Sequence, residues 1–351
     1  MKVFLVSEAK SIHTRRWAQS LKEAGHDIHV ISLRNFNIPG IPVHQLPTFG
    51  LGRIGYLFAI PYLKYLHRKL KPDVVHAQHV TSYGFLCAIA GLKPLVVTAW
   101  GSDILISPKN SAILKFFVQY ALKKCDRITT VASHMNPVIL ELGADEKKIY
   151  TIPFGVDLRV FYPRISSKKE GILKIISTRN FTPVYNIETL VSAMALVKKK
   201  GIDFELKLVG DGPLRPALEA QVESLKLSQN IIFVGYVEQS SLPILLSEAD
   251  IFITSALSDG NNISLNEAMA CATFPIATKI EANTQWINNN ENGLLFEPTS
   301  AEELANAIEK AAFDKNLRLQ AIEMNLAIVK EKANWEACVL KMQEVYRSLL
   351  G

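Results

Sequence analysis

The sequence predicts an α/β protein made of two doubly wound parallel sheets, and three observations predict it. Short, continuous apolar runs rich in β-branched residues alternate with amphipathic stretches along nearly the whole chain, as parallel strands buried on both faces and their crossover helices require. The chain has 351 residues, which suits two domains at roughly 100–200 residues per domain. The alternation pauses once, at the polar and aperiodic PRISSKKEG of Pro163–Gly171, and then resumes.

In the first half the expected strands are Lys2–Ser7, Ile28–Ser32, Asp73–Ala77, Leu95–Ala99, Arg127–Ala132 and Ile149–Ile152. In the second half they are Leu173–Ser177, Phe204–Val209, Ile231–Val234, Asp250–Thr254, Phe274–Thr278 and Gly293–Phe296. Helices fit between them, for example Thr14–Ala24 ahead of Gly25 and Asn186–Lys199 ahead of Gly201, each closed by a glycine suited to a C-cap. The expected domains are residues 1–163 and 164–334, with a terminal helix over 335–351 packing back on the first domain.

Composition narrows the function classes. Hydrophobic residues make up 48% and charged residues 21%, which excludes wholesale disorder. No apolar run approaches the ~18–20 residues needed to cross a bilayer, and MKVFLVSEAK reads as a first strand rather than a secretion signal. The spacing of Cys87, Cys125, Cys271 and Cys338 fits neither a zinc site nor a disulfide framework, so a reducing cytoplasm is the expected compartment. Charge is uneven: residues 1–160 carry 20 Lys and Arg against 10 Asp and Glu, the remainder 19 against 23. The basic half is expected to meet something anionic; nucleic acid, a membrane surface and a phosphorylated substrate all satisfy the charge.

Ligands of doubly wound sheets bind beyond the carboxyl ends of the strands, which directs attention to the loops there. In Ser255–Cys271, SALSDGNNISLNEAMAC, a strand ends near Thr254 and a helix begins near Ile263 or Ser264. Amides at a helix start suit a phosphate, because they lack intrahelical partners and the dipole is positive there. Asp259 and Glu267 flank this corner. The competing reading is that Asp259 and Asn262 only cap the helix and Glu267 is a solvated face.

Asp259-x7-Glu267 followed by AMAC resembles the acidic pair and helix of the family 4 (group 1) retaining glycosyltransferases. IPFGVDLRVFYP (Ile152–Pro163), VGDGPLRPALE (Val209–Glu219), Phe233–Tyr236, ENGLLFEP (Glu291–Pro298) and the terminal helix with Trp335 resemble other segments of that family, in order. The likeness covers nearly all of residues 95–351. It implies two Rossmann-like domains facing a cleft, the GT-B architecture. It implies that Glu267 binds the nucleotide ribose, that Asp259 contacts the transferred sugar, and that Arg179 in STRNFTPVYN holds the donor diphosphate with its guanidinium fork. Gly210, Gly235, Tyr236 and the segment Gly260, Asn261, Asn262 and Ile263 complete the implied donor site.

Departures from the family pattern are several. Asp259 stands where Glu is usual, and Tyr185–Asn186 stand where Lys-Gly is usual. In TAWGSD (Thr98–Asp103), Trp100 replaces a histidine that contacts the sugar donor, whereas Asp103 matches. The glycine-rich first loop is replaced by SEAKSIHTRR, with Lys10, Ser11, His13 and Arg15. Asp103 is expected at the reacting groups, and His13, His76, Trp100 and Ser102 on the acceptor side; Trp100 is equally explained as an ordinary core residue. His76 and His79 follow another strand end, yet the histidine spacing fits no metal motif.

One stretch points to a surface. Arg53–Lys71, RIGYLFAIPYLKYLHRKLK, interleaves aromatic and basic residues, with Leu57, Phe58, Pro61, Tyr62, Tyr65 and Leu66 on one helical stripe. It reads as docking on an anionic membrane or a lipid-linked acceptor, or as a helix packing on its sheet.

Together these features predict a cytoplasmic enzyme, either free or peripheral at the inner face of the membrane, moving a sugar from a nucleotide-sugar to a glycan or lipid-linked acceptor. The family implies front-face attack, with no metal and no cofactor beyond the donor substrate; no nucleic-acid partner is expected. A sugar-nucleotide epimerase and a non-catalytic nucleotide-sugar-binding protein are the rivals. A dinucleotide dehydrogenase is disfavoured, since no G-x-G-x-x-G follows the first strand.

Overall fold

A computed structural model describes residues 1–48, 55–164 and 171–350. Arg53, and residues 165–170 of the expected seam, lie outside the described residues. The chain divides into two compact units: Met1–Pro153 with Glu336–Gly351, and Phe154–Trp335.

The first unit contains β1 (Lys2–Val6), β2 (Asp27–Ser32), β3 (Val43–Gln45), β4 (Val74–Gln78), β5 (Leu95–Ala99), β6 (Arg127–Thr130) and β7 (Ile149–Thr151). They form one sheet in the order β3-β2-β1-β4-β5-β6-β7, parallel throughout. β1, β4 and β5 are almost wholly buried, which is why their sequences run apolar without alternation. β3, VHQ, is the strand that the sequence does not reveal: two half-exposed residues and one exposed residue at a sheet edge carry no hydrophobic pattern.

The second unit contains β8 (Leu173–Ser177), β9 (Phe204–Val209), β10 (Ile231–Gly235), β11 (Ile251–Thr254), β12 (Phe274–Thr278) and β13 (Leu294–Phe296). Their order is β10-β9-β8-β11-β12-β13, again all parallel. Successive residues feed opposite faces. Ile175, Ile251 and Ile253 join Phe181, Leu206 and Phe274 in one core, while Ile176 and Phe252 join Val156, Phe161 and Met269 in the other. Each such large side chain contributes roughly 1.5–3 kcal/mol on burial.

The division falls ten residues before the position that the sequence suggests. Residues 154–163 carry Val156 and Phe161 into the second core, and Val156 exchanges backbone hydrogen bonds with Ala333 and Trp335 at 2.7 and 3.0 Å. The terminal helix, Trp335–Arg347, brings Tyr346 against His76 and is followed by Ser348, which accepts from Arg127, all within the first unit.

Candidate functional site

In each sheet the strand order reverses once, between β8 and β11 in the second and between β1 and β4 in the first. Crevices at such switch points are where doubly wound sheets bind ligands. Parallel pairing brings the carboxyl ends of β10, β9, β8 and β11 to one edge, so Tyr236, Gly210, Arg179 and Asp259 follow four neighbouring strands.

Arg179 is only 8% exposed. Its Nη2 donates to Asp259 Oδ2 at 2.5 Å, its Nε to Thr254 Oγ1 at 3.4 Å, and its guanidinium lies 4.8 Å over the Tyr185 ring. The carboxylate of Asp259, expected at a sugar, is therefore on the arginine; a cation this buried requires an anionic partner. Tyr185, in the place usual for Lys, adds a cation–π contact of about 0.5–2 kcal/mol. Asn186 adopts a left-handed backbone, φ 49° and ψ 45°, a conformation that glycine and, among other residues, asparagine tolerate best.

The helix Ile263–Ala270 starts as the sequence predicts. Asn262 caps it, accepting from Leu265 N–H at 3.1 Å and donating to Asn283 Oδ1 at 2.8 Å. Asn261 donates to Phe154 O and accepts from Trp286 Nε1. Both side chains thus build the loop rather than face a ligand. The Ile263 N–H is donated to Asn261 O, but among the described residues no backbone carbonyl accepts from the N–H groups of Gly260, Asn261 or Asn262. Glu267, buried, sits about one turn inside this helix.

Gly210 is fixed by a close approach. At φ 143°, a Cβ there would lie 2.4 Å from the Arg179 carbonyl oxygen, so only glycine lets the loop after β9 press on the segment carrying the arginine. Its N–H donates to Gly235 O at 2.9 Å, beside Tyr236, which is 78% exposed. A hollow of about 670 Å³ among Leu173, Asp203, Asp250, Phe313 and Arg318 lies at the opposite, amino ends of β8, β9 and β11, away from all of these groups.

In the first unit, Asp103 is fully buried. Its two oxygens accept from the N–H groups of Val80, Trp100 and Gly101 at 2.7, 3.0 and 2.9 Å. The reacting role that the resemblance implies for it is corrected by this saturation: Asp103 is a positioning residue that ties the turns after β4 and β5 together. His76 is also corrected. It is enclosed between Tyr346 Oη at 2.6 Å and Thr98 Oγ1 at 2.5 Å, and burial lowers its pKa to about 3, so it is a neutral core imidazole out of reach of any acceptor. His13 and Trp100 do meet, with rings 5.4 Å apart edge to face. His79 packs on Trp100 at 5.5 Å. Ser102 is exposed at the start of the short helix Ser102–Leu105.

All four cysteines are buried thiols outside any disulfide. Burial pushes the Cys125 and Cys271 thiols up to about 12 and raises Cys87, which suppresses the nucleophilic thiolate form at these three. Among the described residues, no group of three or more His, Cys, Asp or Glu side chains is placed to hold a metal ion.

The aromatic–basic stripe divides differently from its sequence pattern. The helix Gly55–Leu70 buries Ala59, Leu63 and Leu66 and leaves Phe58, Pro61 and Tyr65 exposed. Tyr65 stacks on Tyr62 and lies under Lys69. A second such face, missed in the sequence, is the helix Ala112–Lys124, with exposed Ile113 and Phe116 among Lys115, Lys123 and Lys124. Neither helix contains an acidic residue, and both pack on the short helix Phe85–Ile89. Among the described residues no helix is long and apolar enough to cross a membrane.

Residues 160–325 match the family described as glycosyl transferases group 1, and residues 2–133 the one described as glycosyl transferase 4-like. An uncharacterized glycosyltransferase of Methanocaldococcus jannaschii is 25% identical, over 97% of this chain and 94% of its own. The N-acetyl-alpha-D-glucosaminyl L-malate synthase of Bacillus anthracis is 24% identical over 95% of this chain and 92% of its own. Among solved structures, Anabaena HepE in complex with UDP and glucose superposes with a TM-score of 0.85 at 18% identity, covering 99% of this chain and all of that one.

Proposed function

This chain belongs to the group 1, GT4-like glycosyltransferases and has their GT-B fold, and from that premise we propose a retaining, metal-independent transfer from a nucleotide-sugar to a glycan or lipid-linked acceptor. The observation that carries the proposal is the Arg179 cluster at the β8–β11 switch point, beside the amides of Gly260–Asn262, which no backbone carbonyl among the described residues engages, and the buried Glu267. One guanidinium and several N–H groups converge where a diphosphate needs neutralising, and a carboxylate lies about one turn further in, as ribose hydroxyls require.

The chemistry then rests on position and charge. Glu267 accepts from the ribose. Arg179, steadied by Asp259 and Tyr185, shares its remaining donors with the diphosphate, and the loop amides take the charge that develops as the leaving group departs. Tyr236 offers an exposed ring for the base. Arg179 holds the Asp259 carboxylate at this corner, which supports attack by the acceptor hydroxyl on the face that the diphosphate leaves. The exposed aromatic–basic faces of Gly55–Leu70 and Ala112–Lys124 support a peripheral contact with an anionic membrane surface at the inner, cytoplasmic face.

The test is incubation with labelled UDP-, GDP- and ADP-sugars and a mixed lipid and oligosaccharide acceptor pool. UDP-sugars come first, because a structural neighbour was solved with UDP and glucose. Released nucleoside diphosphate with an α-linked product from an α-linked donor supports the proposal. An isomerised sugar nucleotide identifies an epimerase instead, and binding without turnover identifies a non-catalytic receptor.

A further inference from the structure

The hollow of about 670 Å³ at the amino ends of β8, β9 and β11 has no part in the donor corner. Its walls include Ile172 at the entry to β8, Ile202 and Asp203 before β9, and the junction of the helices Ala301–Phe313 and Lys315–Lys332. The first of these helices buries Leu304, Ile308 and Ala311 on one stripe. At 3.6 residues per turn, position 313 falls about 200° from 311, on the far side. Phe313 therefore stands 75% exposed at the hollow. Asp314 caps the next helix, accepting from Leu317 N–H at 2.9 Å, so the ring is carried on a fixed junction rather than a loose loop. Lys315 and Leu319 then share one helical face, and Leu319 is 64% exposed.

The polar groups that line the hollow are largely engaged by the fold. Arg318 Nη1 donates to Ala311 O, and to Ala312 O at 3.0 Å, closing the carboxyl end of the first helix. Asp250 Oδ2 accepts from Lys174 N–H at 3.0 Å. A polar small molecule would find few partners here. What faces outward is apolar surface from Ile172, Phe313 and Leu319, with two exposed charges, Asp203 and Lys315. Single exposed apolar residues are ordinary, but three around one concavity form a patch of the kind that marks a protein contact.

We propose that two copies of this chain associate through this face about a twofold axis. Phe313 of each copy sits in the hollow of the other, and Asp203 of each faces Lys315 of the other. The occupant follows from the make-up of the patch. A twofold contact joins a surface to itself, so each knob needs a hole, and each charge its opposite, within the same patch. Phe313 beside the hollow, and Asp203 with Lys315 along its walls, meet both requirements. A partner of another sequence would require neither pairing. The hollow lies at the amino ends of the strands, so association leaves the Arg179–Asp259 corner at their carboxyl ends open. The proposal therefore stands apart from the sugar-transfer reading.

Sedimentation equilibrium over about 1–100 μM, a range suited to a modest interface, reads the association. Wild type should reach twice the 39.1 kDa of one chain. Phe313→Asp and, independently, Leu319→Lys should remain at the mass of one chain, with unchanged circular dichroism, since both side chains are largely exposed. Asp203→Lys and Lys315→Asp should each weaken association about tenfold, and the double reversal should restore it to within about threefold. That restoration is peculiar to a contact in which the two residues meet across the axis. Wild type at the mass of one chain throughout overturns the proposal, whatever other protein binds the face. So does a dimer that both Phe313→Asp and Leu319→Lys leave intact, because it uses another surface. A double reversal as weak as the single ones overturns the pairing of Asp203 with Lys315 and, with it, the twofold arrangement.

Discussion

Replacing Asp259 by Asn separates two roles for its carboxylate. Oδ2 lies 2.5 Å from an Arg179 nitrogen, and the two side chains are 18% and 9% exposed. Removing one partner from a fully buried pair costs roughly 3–5 kcal/mol. Water at the Asp259 side, the Tyr185 ring and the amide that Asn retains reduce this to about 2 kcal/mol, a fall in melting temperature of roughly 4–8 °C for a unit of this size. Nucleotide affinity moves the other way. Asp259 and a diphosphate address the same guanidinium, and two unit charges ~6 Å apart at an effective dielectric of 20 repel by about 3 kcal/mol. Solvent and salt cut this to on the order of 1 kcal/mol, so UDP binds about fivefold more tightly to Asp259→Asn. Calorimetry and thermal melts on the same samples read both quantities. Unchanged melting with UDP binding weakened threefold or more refutes the clamp and returns Asp259 to a direct ligand contact.

Other substitutions address the remaining groups. Glu267→Ala should weaken nucleotide binding by about 1.5–3 kcal/mol, the range for hydrogen bonds to a charged group, and unchanged affinity in a titration removes Glu267 from the site. Turnover should survive excess EDTA; loss of activity restored by Mg²⁺ or Mn²⁺ counts against metal independence. Sedimentation with anionic but not neutral liposomes should fall in high salt and on joint replacement of Lys64, Arg68, Lys69 and Lys71 by Gln, at ~1 kcal/mol per basic residue; protein left in the supernatant at low salt ends the membrane proposal. His76 stays neutral in the fold, with a pKa near 3, but titrates near 6.5 when unfolded. The unfolded chain therefore binds the extra proton below pH 6.5, and stability falls by about 1.4 kcal/mol per pH unit toward that lower value. Urea melts of wild type and His76→Gln at pH 7 and 5 should differ in their pH response, and parallel losses would contradict this.

The proposed donor site is legible in the sequence because it is local. Asp259, Asn262 and Glu267 lie within one strand–loop–helix corner, where capping chemistry and spacing are written along the chain. Arg179 stands out for the same reason, as the residue after a strand end. The first unit is harder. His76 and His79 look alike as histidines at the end of an apolar run, but one points into a core closed by Tyr346, 270 positions away, and the other occupies a strained turn beside Trp100. No local pattern distinguishes them.

The sequence by itself determined the strand–helix alternation, two buried parallel sheets and the corner at Asn262, since hydrophobic period and helix capping are short-range properties. Only the tertiary structure decided which polar groups are consumed by the fold. Asp103 is spent on three amides from two separate turns, and Asp259 on an arginine 80 positions away. The helix Gly55–Leu70 turns Leu66 inward and Tyr65 outward, against the stripe that its sequence suggests. A desolvated charge or donor takes whatever partner the packing brings to it, and that partner lies at a distance along the chain that no periodicity encodes.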